Sequence, residues 1–259
     1  MAENLTTDDI NPIPYDEMPD PAPTGIFFVK KDALNGDDPV DPIYWTDFSG
    51  MTVGEVPTGM TKRGDLSGDF LVIEDALALG GHVMQCINGP TDQDLTMGIT
   101  VDQFNSMDGR ENAEVLMKVR RVGGRTSAIA STLHRGSFNS GIPTGYGGFA
   151  TGASNGAPRL ILLNNSVSPT TLDEGGSVDF STGTWWWVRS QVRGNDLKVK
   201  MWEDGTTEPS AWLSEVTDTT VQAPGLLGIL KQGENELLVD VLSIAVGSDI
   251  EAPMTNPNT

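Results

Sequence analysis

Short apolar runs, separated by turn residues, follow one another along the chain from about residue 44 onward. Valine, isoleucine, threonine and tryptophan gather in these runs, and pairs such as Gly80-Gly81 and Gly123-Gly124 divide them. No long stretch repeats its apolar positions with the 3.6-residue period of an amphipathic helix. Many short strands divided by such turns are typical of an all-β sandwich or jelly roll. The predicted strands are Phe70–Ile73, His82–Ile87, Leu95–Val101, Ala113–Val119, Thr126–His134, Gly145–Ala150, Arg159–Leu163, Ser177–Phe180, Trp185–Val192, Leu197–Trp202, Gly225–Leu230 and Leu237–Val246.

The clearest hairpin is predicted for Trp185–Arg193 and Asp196–Trp202, where three consecutive tryptophans open the first strand. A two-residue loop, either Gly194-Asn195 or Asn195-Asp196, suits a primed turn. Successive residues of a strand point to opposite sides, so this pairing sorts the side chains onto two faces. We expect one face to be core, with Val188, Ser190, Val192, Leu197, Val199 and Met201. The other face carries Trp187, Arg189, Gln191, Arg193, Lys198, Lys200 and Trp202.

Two interpretations of this second face stay open. In the first, flat tryptophans beside arginine and glutamine form an exposed platform on which sugar rings stack. In the second, long basic side chains cover the tryptophan rings and their charged heads meet neighbouring acids. Tryptophan is a frequent packing residue in sandwiches, so the sequence favours the second interpretation. The first selects as ligand-binding residues Trp187, Arg189, Gln191, Lys200 and Trp202.

The overall charge narrows the classes of partner. The chain has 16 Lys and Arg against 36 Asp and Glu, a net charge of −20. A surface this acidic repels nucleic acid and anionic lipid, so we expect neither nucleic acid nor a membrane as partner. No apolar stretch is long enough to span a bilayer, and the N-terminal residues lack the pattern of a secretory signal. The single cysteine, Cys86, cannot form an internal disulfide, which suits synthesis in a reducing cytoplasm.

The first 42 residues differ in composition from the rest. Residues 1–28 contain six acidic residues and no basic one. Their prolines favour extended or polyproline conformation, and the segment has too little apolar surface to fold by itself. We therefore divide the chain into an extended acidic, proline-rich arm at 1–42, a sandwich at 43–248 and a C-terminal tail at 249–259.

Several stretches resemble one known domain family. The order of the tryptophan strand, its turn, a further tryptophan and a Glu-Pro-x-x-Trp segment is similar to the C-terminal half of a concanavalin A-like (laminin-G-like) jelly roll. This form of the domain is common among bacteriophage virion proteins. The resemblance covers about residues 44–247 and implies a sandwich of two antiparallel sheets. The residues that carry it are Asp47–Gly50, Val56–Gly59, Asn112–Arg120, His134-Arg135, Gly145–Gly147, Gly183–Arg189, Gly194–Trp212, Pro224–Ile229 and Val239–Gly247.

The sequence offers no catalytic or metal-binding motif. Glycosidases of this superfamily place carboxylates on one strand as Glu-x-Asp-x-x-Glu, and no segment has this spacing. We expect turn or rim roles for the acidic residues that come nearest to it: Glu74, Asp75, Glu111, Glu114, Glu203, Asp204 and Glu208. His82, His134 and Cys86 are expected to pack or to hydrogen-bond within strands. Asp37-Asp38 and Asp92–Asp94 supply oxygen ligands for calcium but match no known loop signature, so no metal and no cofactor is predicted.

These observations lead to a non-enzymatic virion protein as the first functional hypothesis. The resemblance and the acidic arm favour a capsid decoration or cement protein, held to neighbouring virion proteins by its arm and tail. The major capsid protein is the expected partner, and the expected assembly is a homo-oligomer such as a trimer located in the virion. The alternative is a glycan-binding module of a tail or head fibre that recognises host surface sugars. A glycoside hydrolase is the third hypothesis, and the missing carboxylates argue against it.

Overall fold

The computed structural model describes residues 43–64, 68–87, 97–105, 107, 109–123, 129–139, 141–151, 156–164, 169–232 and 236–257. The predicted N-terminal arm lies outside these residues. The strands, in chain order, are β1 (Ile43–Thr46), β2 (Met60–Gly64), β3 (Asp69–Glu74), β4 (His82–Ile87), β5 (Met97–Val101), β6 (Ala113–Val122), β7 (Ile129–Asn139), β8 (Ile142–Thr151), β9 (Pro158–Asn164), β10 (Thr170–Glu174), β11 (Trp185–Arg193), β12 (Asp196–Glu203), β13 (Ser214–Thr217), β14 (Leu226–Gln232) and β15 (Glu236–Val246).

The strands form two antiparallel sheets. The first sheet has the order β13-β12-β11-β6-β15-β4-β3, and β1 pairs with the end of β15 that β4 does not reach. The second sheet has the order β10-β9-β8-β7-β14-β5-β2. In the described part of the chain, the one helical element is a single 3-10 turn at Asp102–Phe104. The predicted all-β jelly-roll sandwich of two antiparallel sheets is therefore confirmed.

The main core lies between the two sheets. Along β6, Val115, Met117 and Val119 point inward and are fully buried, and Leu227 and Ile229 of β14 face them from the second sheet. Burying a side chain of this size stabilises the fold by about 1.5–3 kcal/mol. The alternation of inward and outward positions therefore fixes which face of each strand meets the other sheet.

The hairpin follows the predicted parity. Val192 lies opposite Leu197 and Arg193 opposite Asp196, so the loop is Gly194-Asn195. Gly194 has φ +56°, the left-handed conformation that the first loop position of a primed turn requires. Both faces of the hairpin therefore contain the residues that alternation had assigned to them.

Strand prediction failed at five places. Residues 177–180 do not form a strand, although Phe180 is buried there and its ring meets Trp186 edge-on at 6.2 Å. The sequence pattern missed four short strands, β1, β2, β10 and β13. The last two are polar segments, TTLDE and SEVT, which pair at the outer ends of their sheets. Such edge strands are held by backbone pairing more than by an apolar face, so hydrophobic alternation marks them poorly.

A buried polar cluster connects the two sheets inside the core. His134 of β7 bonds through Nε2 to Ser190 Oγ of β11 at 2.6 Å, and Ser190 Oγ meets Thr132 Oγ1 at 2.5 Å. His134 is 1% exposed. Burial, reinforced by the positive charge of neighbouring Arg135, lowers the pKa of His134 to about 3. The histidine is therefore neutral in the folded protein and has the packing role that the sequence had suggested.

We predict that this histidine makes the fold acid-sensitive. An unfolded histidine titrates near pH 6.5, so between pH 7 and pH 5 the unfolded chain takes up a proton that the folded chain refuses. As the pH is lowered, the free energy of unfolding should therefore decrease by up to about 1.4 kcal/mol per pH unit. Urea unfolding at pH 7, 6 and 5 measures this, and His134→Gln should flatten the dependence. Equal slopes for wild type and His134→Gln would contradict the assignment.

Candidate functional site

The five residues selected as ligand-binding from the sequence lie together on the outer face of the first sheet. Trp187 lies directly opposite Trp202, and Arg189 opposite Lys200, in the pairing of β11 with β12. The two tryptophan rings stack with centroids 6.2 Å apart and planes 14° from parallel. Gln191 continues the same face one step further along β11, opposite Lys198. The sequence had therefore grouped these side chains correctly.

The same face is not open to solvent, which is what the second of the two interpretations, favoured by the sequence, describes. Trp187 is 6% exposed, Arg189 4% and Trp202 4%, and Gln191 and Lys200 are also buried. Two segments cover them. One is residues 247–257, which we call the C-terminal strap, and the other is the β12–β13 loop at residues 204–213. Alternation told which side chains share a face, but not that distant segments would cover it.

The apolar part of this face forms a second, smaller core under the strap. We call it the outer groove. Ala252 of the strap is 1% exposed within it, with Ile250 and Met254 packed on either side. Since these three positions alternate along the strap, an extended segment presents them all to the sheet. The outer groove is lined by Trp45, Leu116, Trp187, Trp202, Val241 and Ala245.

A buried carboxylate organises the polar part of the face. Glu114 of β6 is 1% exposed and forms an ion pair with Arg189. Glu114 Oε2 accepts a hydrogen bond from Gln191 Nε2 at 2.8 Å, and Oε1 accepts one from Ala252 N at 3.0 Å. Arg189 Nη1 in turn donates to Ala252 O at 3.0 Å. The turn or rim role expected for Glu114 is therefore wrong, because its position on a central strand places it beneath the strap.

The β12–β13 loop completes the charge balance. Glu208 pairs with Arg189 Nε at 2.8 Å and with Lys200 Nζ at 2.7 Å. Lys200 Nζ also donates to Pro209 O at 2.9 Å and lies 4.7 Å from the centroid of the Trp212 ring. The charged heads of Arg189 and Lys200 thus contact acidic side chains and an aromatic ring of the chain itself. This agrees with the second interpretation of this face.

A second ion cluster, buried at Lys118 and Asp240 and open to solvent at Asp204, lies beside the tryptophans. Lys118 of β6 pairs with Asp204 at 2.9 Å and with Asp240 at 3.0 Å. Burial opposes the charged amine, but the bonds and charges of both aspartates outweigh it and raise the pKa of Lys118. Asp204 also accepts a hydrogen bond from Trp187 Nε1 at 2.8 Å. Asp240 occupies a β-bulge in β15, between Val239 and Val241, and the extra residue there aims its carboxylate at Lys118.

Sequence reasoning did not assign Glu114, Lys118 or Asp240 to this face. A signal was present, because Glu114 and Lys118 lie two positions either side of Leu116 on a strand whose alternate positions are apolar. Charged residues at such spacing normally indicate a solvated face. The strap and the β12–β13 loop cover this face, and their presence reverses that meaning.

The remaining candidates are structural where the structure describes them. Cys86 is fully buried in the main core, as predicted, and burial raises the pKa of its thiol. Within the described residues, no group of three or more His, Cys, Asp or Glu is placed to hold a metal ion. The two acidic segments considered for calcium, Asp37-Asp38 and Asp92–Asp94, lie outside those residues. No helix in the described part of the chain is long and apolar enough to cross a bilayer.

Comparison with known proteins supports the fold. No protein-family model and no curated protein sequence matches the chain. Among solved structures, a protein of unknown function from Shewanella oneidensis MR-1 is similar, with a TM-score of 0.56 and 15% identity over 83% of this chain and 90% of that one. The Ca²⁺-bound exoplasmic/lumenal domain of VIP36 is similar with a TM-score of 0.51 and 12% identity, covering 79% of this chain and 93% of its own.

The same VIP36 domain has also been solved with Ca²⁺ and Man2, and that structure is similar with a TM-score of 0.51 and 12% identity over 82% of this chain and 88% of the domain. At these identities the likeness is one of fold.

We predict that breaking the buried ion pair is costly. Glu114→Gln keeps the shape and an acceptor for Ala252 N but leaves Arg189 without its fully buried counter-charge. Removing one partner of such a pair costs about 3–5 kcal/mol. The control is Glu215→Gln, which breaks the half-exposed ion pair with Lys198 on the same sheet and should cost less than about 1 kcal/mol. Urea unfolding of both variants measures the difference, and similar losses would contradict the assigned role of Glu114.

Proposed function

We propose that the protein is a non-enzymatic structural protein of a bacteriophage virion, which decorates or cements a capsid. The major capsid protein is its proposed partner, and a homo-oligomer such as a trimer its proposed state. The support is of two kinds. The resemblance of residues 44–247 to virion jelly rolls gives the setting, and one feature of the surface gives the mode of binding.

The observation that carries the proposal is an apolar edge on the first sheet. The exposed large hydrophobic side chains of the described residues all belong to the edge strand β3, to its partner β4 or to loops joined to them. Gly54 N and Glu55 O bond to Val72 of β3, which ties the β1–β2 loop to this edge. Exposed apolar groups that recur along one edge of a sheet mark protein-contact surfaces more often than groups scattered singly. The residues are Val53, Val56, Leu77, Leu79 and Ile87.

The backbone of the two most exposed of these residues is held by hydrogen bonds. Leu77 and Leu79 are 68% and 63% exposed on the β3–β4 loop. Leu77 N donates to Asp75 Oδ1 at 2.8 Å, and Leu79 N donates to the buried Asp240 at 2.8 Å. Asp75 is fixed in turn by an ion pair with Arg120. A loop ordered in advance loses little conformational entropy when it binds, which favours a role as a contact point.

The polar face of the sheet supports a structural role rather than catalysis. Each strongly charged side chain that we have described there is matched by a group of the protein itself, such as Glu114 with Arg189 or Lys118 with Asp240. Charges used in this way fix the positions of the sheet, the strap and the β12–β13 loop. The proposal is therefore that the sandwich is a rigid body and that its partners contact its edge and its ends.

Glycan binding is the second candidate. The fold is shared with the VIP36 domain that was solved with Ca²⁺ and Man2. In the outer groove, Trp45 Nε1 and Trp202 Nε1 are buried and have no hydrogen-bond acceptor among the described residues. Two indole donors beside stacked rings suit sugar hydroxyls, provided that the strap moves away. A glycan array of the full chain tests this candidate, and no binding by a folded sample would remove it.

We predict that the exposed leucines contribute to particle binding. Leu77→Ser with Leu79→Ser should leave the free energy of unfolding within about 0.5 kcal/mol, since the side chains are largely exposed. Its affinity for particles should fall by at least about tenfold, the effect of losing about 1.4 kcal/mol of contact. Co-sedimentation with particles stripped of the protein measures this. Thr219→Ser, at an exposed position beyond the opposite edge strand β13, is the control, and equal binding of both variants would argue against this edge.

We also predict that residues 1–42 anchor the protein. A chain that begins at Ile43 keeps every strand that the structure describes, so its thermal unfolding should match that of the full chain. Its co-sedimentation with particles should be lost. As a control, another chain keeps residues 1–42 in scrambled order, which preserves their charge. Normal binding of the shortened chain to particles would contradict the anchoring role.

A further inference from the structure

The strap is held to the sheet through its backbone. Ala252 N donates to Glu114, Ala252 O accepts from Arg189, and Ile250 O accepts from Arg193 Nη2 at 3.0 Å. The two carbonyls are two residues apart, the spacing at which an extended chain presents the same side. The side chains of Glu114, Arg189 and Arg193 therefore form a clamp for an extended peptide. The clamp binds main-chain groups of that peptide.

The outer groove adds selectivity for side chains. Ala252 is almost fully buried, whereas its neighbour Glu251 is exposed. The buried position lies in the groove that contains the stacked Trp187 and Trp202, so a large or charged side chain there would displace the rings. The site thus takes an extended segment with a small residue at its centre and apolar residues two positions away on each side.

The groove also requires an occupant. An empty groove would take the backbone of Ala252 away from Glu114 Oε1 and Arg189 Nη1, which would keep each other as partners but lose one hydrogen bond each. An unsatisfied buried polar group costs about 1–3 kcal/mol, and more when it is charged. A strap in the groove therefore stabilises the fold, and these contacts do not depend on which chain supplies it.

The connection between sheet and strap is short and exposed. β15 ends at Val246, and Gly247 follows with φ +124°, a conformation that glycine adopts without strain. Ser248 and Asp249 are exposed. The clamp contacts lie beyond these three residues. A change of backbone direction here would carry the strap away from its own sheet while leaving every clamp residue in place, which is the usual basis of segment exchange between identical chains.

We propose that the outer groove is a docking site for the C-terminal strap of a second copy of this chain. Two copies that exchange straps make the same buried contacts as two separate copies, so exchange costs little and joins them. The joint is an extended, backbone-clamped segment centred on Ala252. This proposal concerns association between copies, and it holds whether or not the protein joins a virion.

The test begins with the full chain and a protease site inserted between Gly247 and Ser248. The chain is cut after it has folded, and intact labelled full chain is then added. We expect the cut strap to stay bound at first and then to be replaced by the strap of the intact copy. Native mass spectrometry should detect a complex of one cut body with one intact chain. A labelled peptide of residues 248–259 should compete for the same groove.

Two variants of the intact chain, which donates its strap to the cut body, test the specificity of the groove for the strap sequence. Ala252→Arg in the donor should reduce capture of the cut body by at least about tenfold, since the arginine does not fit the groove. Glu251→Gln, one residue away at an exposed position, should capture as well as wild type within about twofold.

Three outcomes overturn the proposal. The first is a cut chain that unfolds, which would make the strap an inseparable part of one chain. The second is a folded cut body that exchanges with neither peptide nor intact chain. The third is a body that binds the peptide but never an intact copy, which would confine the groove to free segments. Failure of particle binding in the earlier experiments leaves each of these results unchanged.

Discussion

The pairing of Glu114 with Arg189 is the contact on which the outer half of the structure depends. Both groups lie on central strands and both are buried, at 1% and 4% exposure. Removing two charges from water costs several kcal/mol for each ion, and their attraction offsets this only when the remaining bonding positions are also filled. Gln191, Glu208 and the backbone of Ala252 fill them. The strap and the β12–β13 loop are therefore placed by one electrostatic requirement, and they must be ordered together with the sheet.

The two faces of the first sheet consequently form two cores of different character. The inner face is apolar apart from clusters such as His134 with Ser190, and its packing is set by volume. The outer face mixes stacked tryptophans with ion pairs, and its packing is set by matching partners. A mismatched volume can relax by small shifts, whereas an unpaired buried charge cannot. The outer face is thus the more exacting of the two, although it has fewer apolar residues.

The local sequence pattern predicted much of this arrangement, but it did not predict which faces are covered by distant segments of the chain. The parity of β11 and β12 gave the correct loop length and the correct grouping of Trp187 with Trp202 on one face, and it left two choices of loop and of cross-strand partners open. Alternation does not tell whether a face meets water, because the covering segment comes from a distant part of the chain. The strap residue that bonds to Glu114 is 138 positions away in sequence. The polar edge strands β10 and β13 were not predicted for a related reason. They are held by backbone pairing with a neighbour, which does not depend on the hydrophobicity of their side chains.

The same limit explains why aromatic and basic residues on one strand are ambiguous as a sign of ligand binding. Tryptophan rings flanked by arginine and lysine suit a sugar, and they suit equally a peptide segment that brings a backbone and a small side chain. In this protein the peptide is the chain's own strap, and the recognition chemistry is already satisfied by it. A ligand for that face must therefore displace the strap or be a strap, and a partner that does neither has to bind elsewhere. The backbone of Leu79, in the β3–β4 loop, is held by Asp240, the carboxylate that also pairs with Lys118 beside Trp187. The buried charges of the outer face thus help to order the contact surface at the edge of the same sheet.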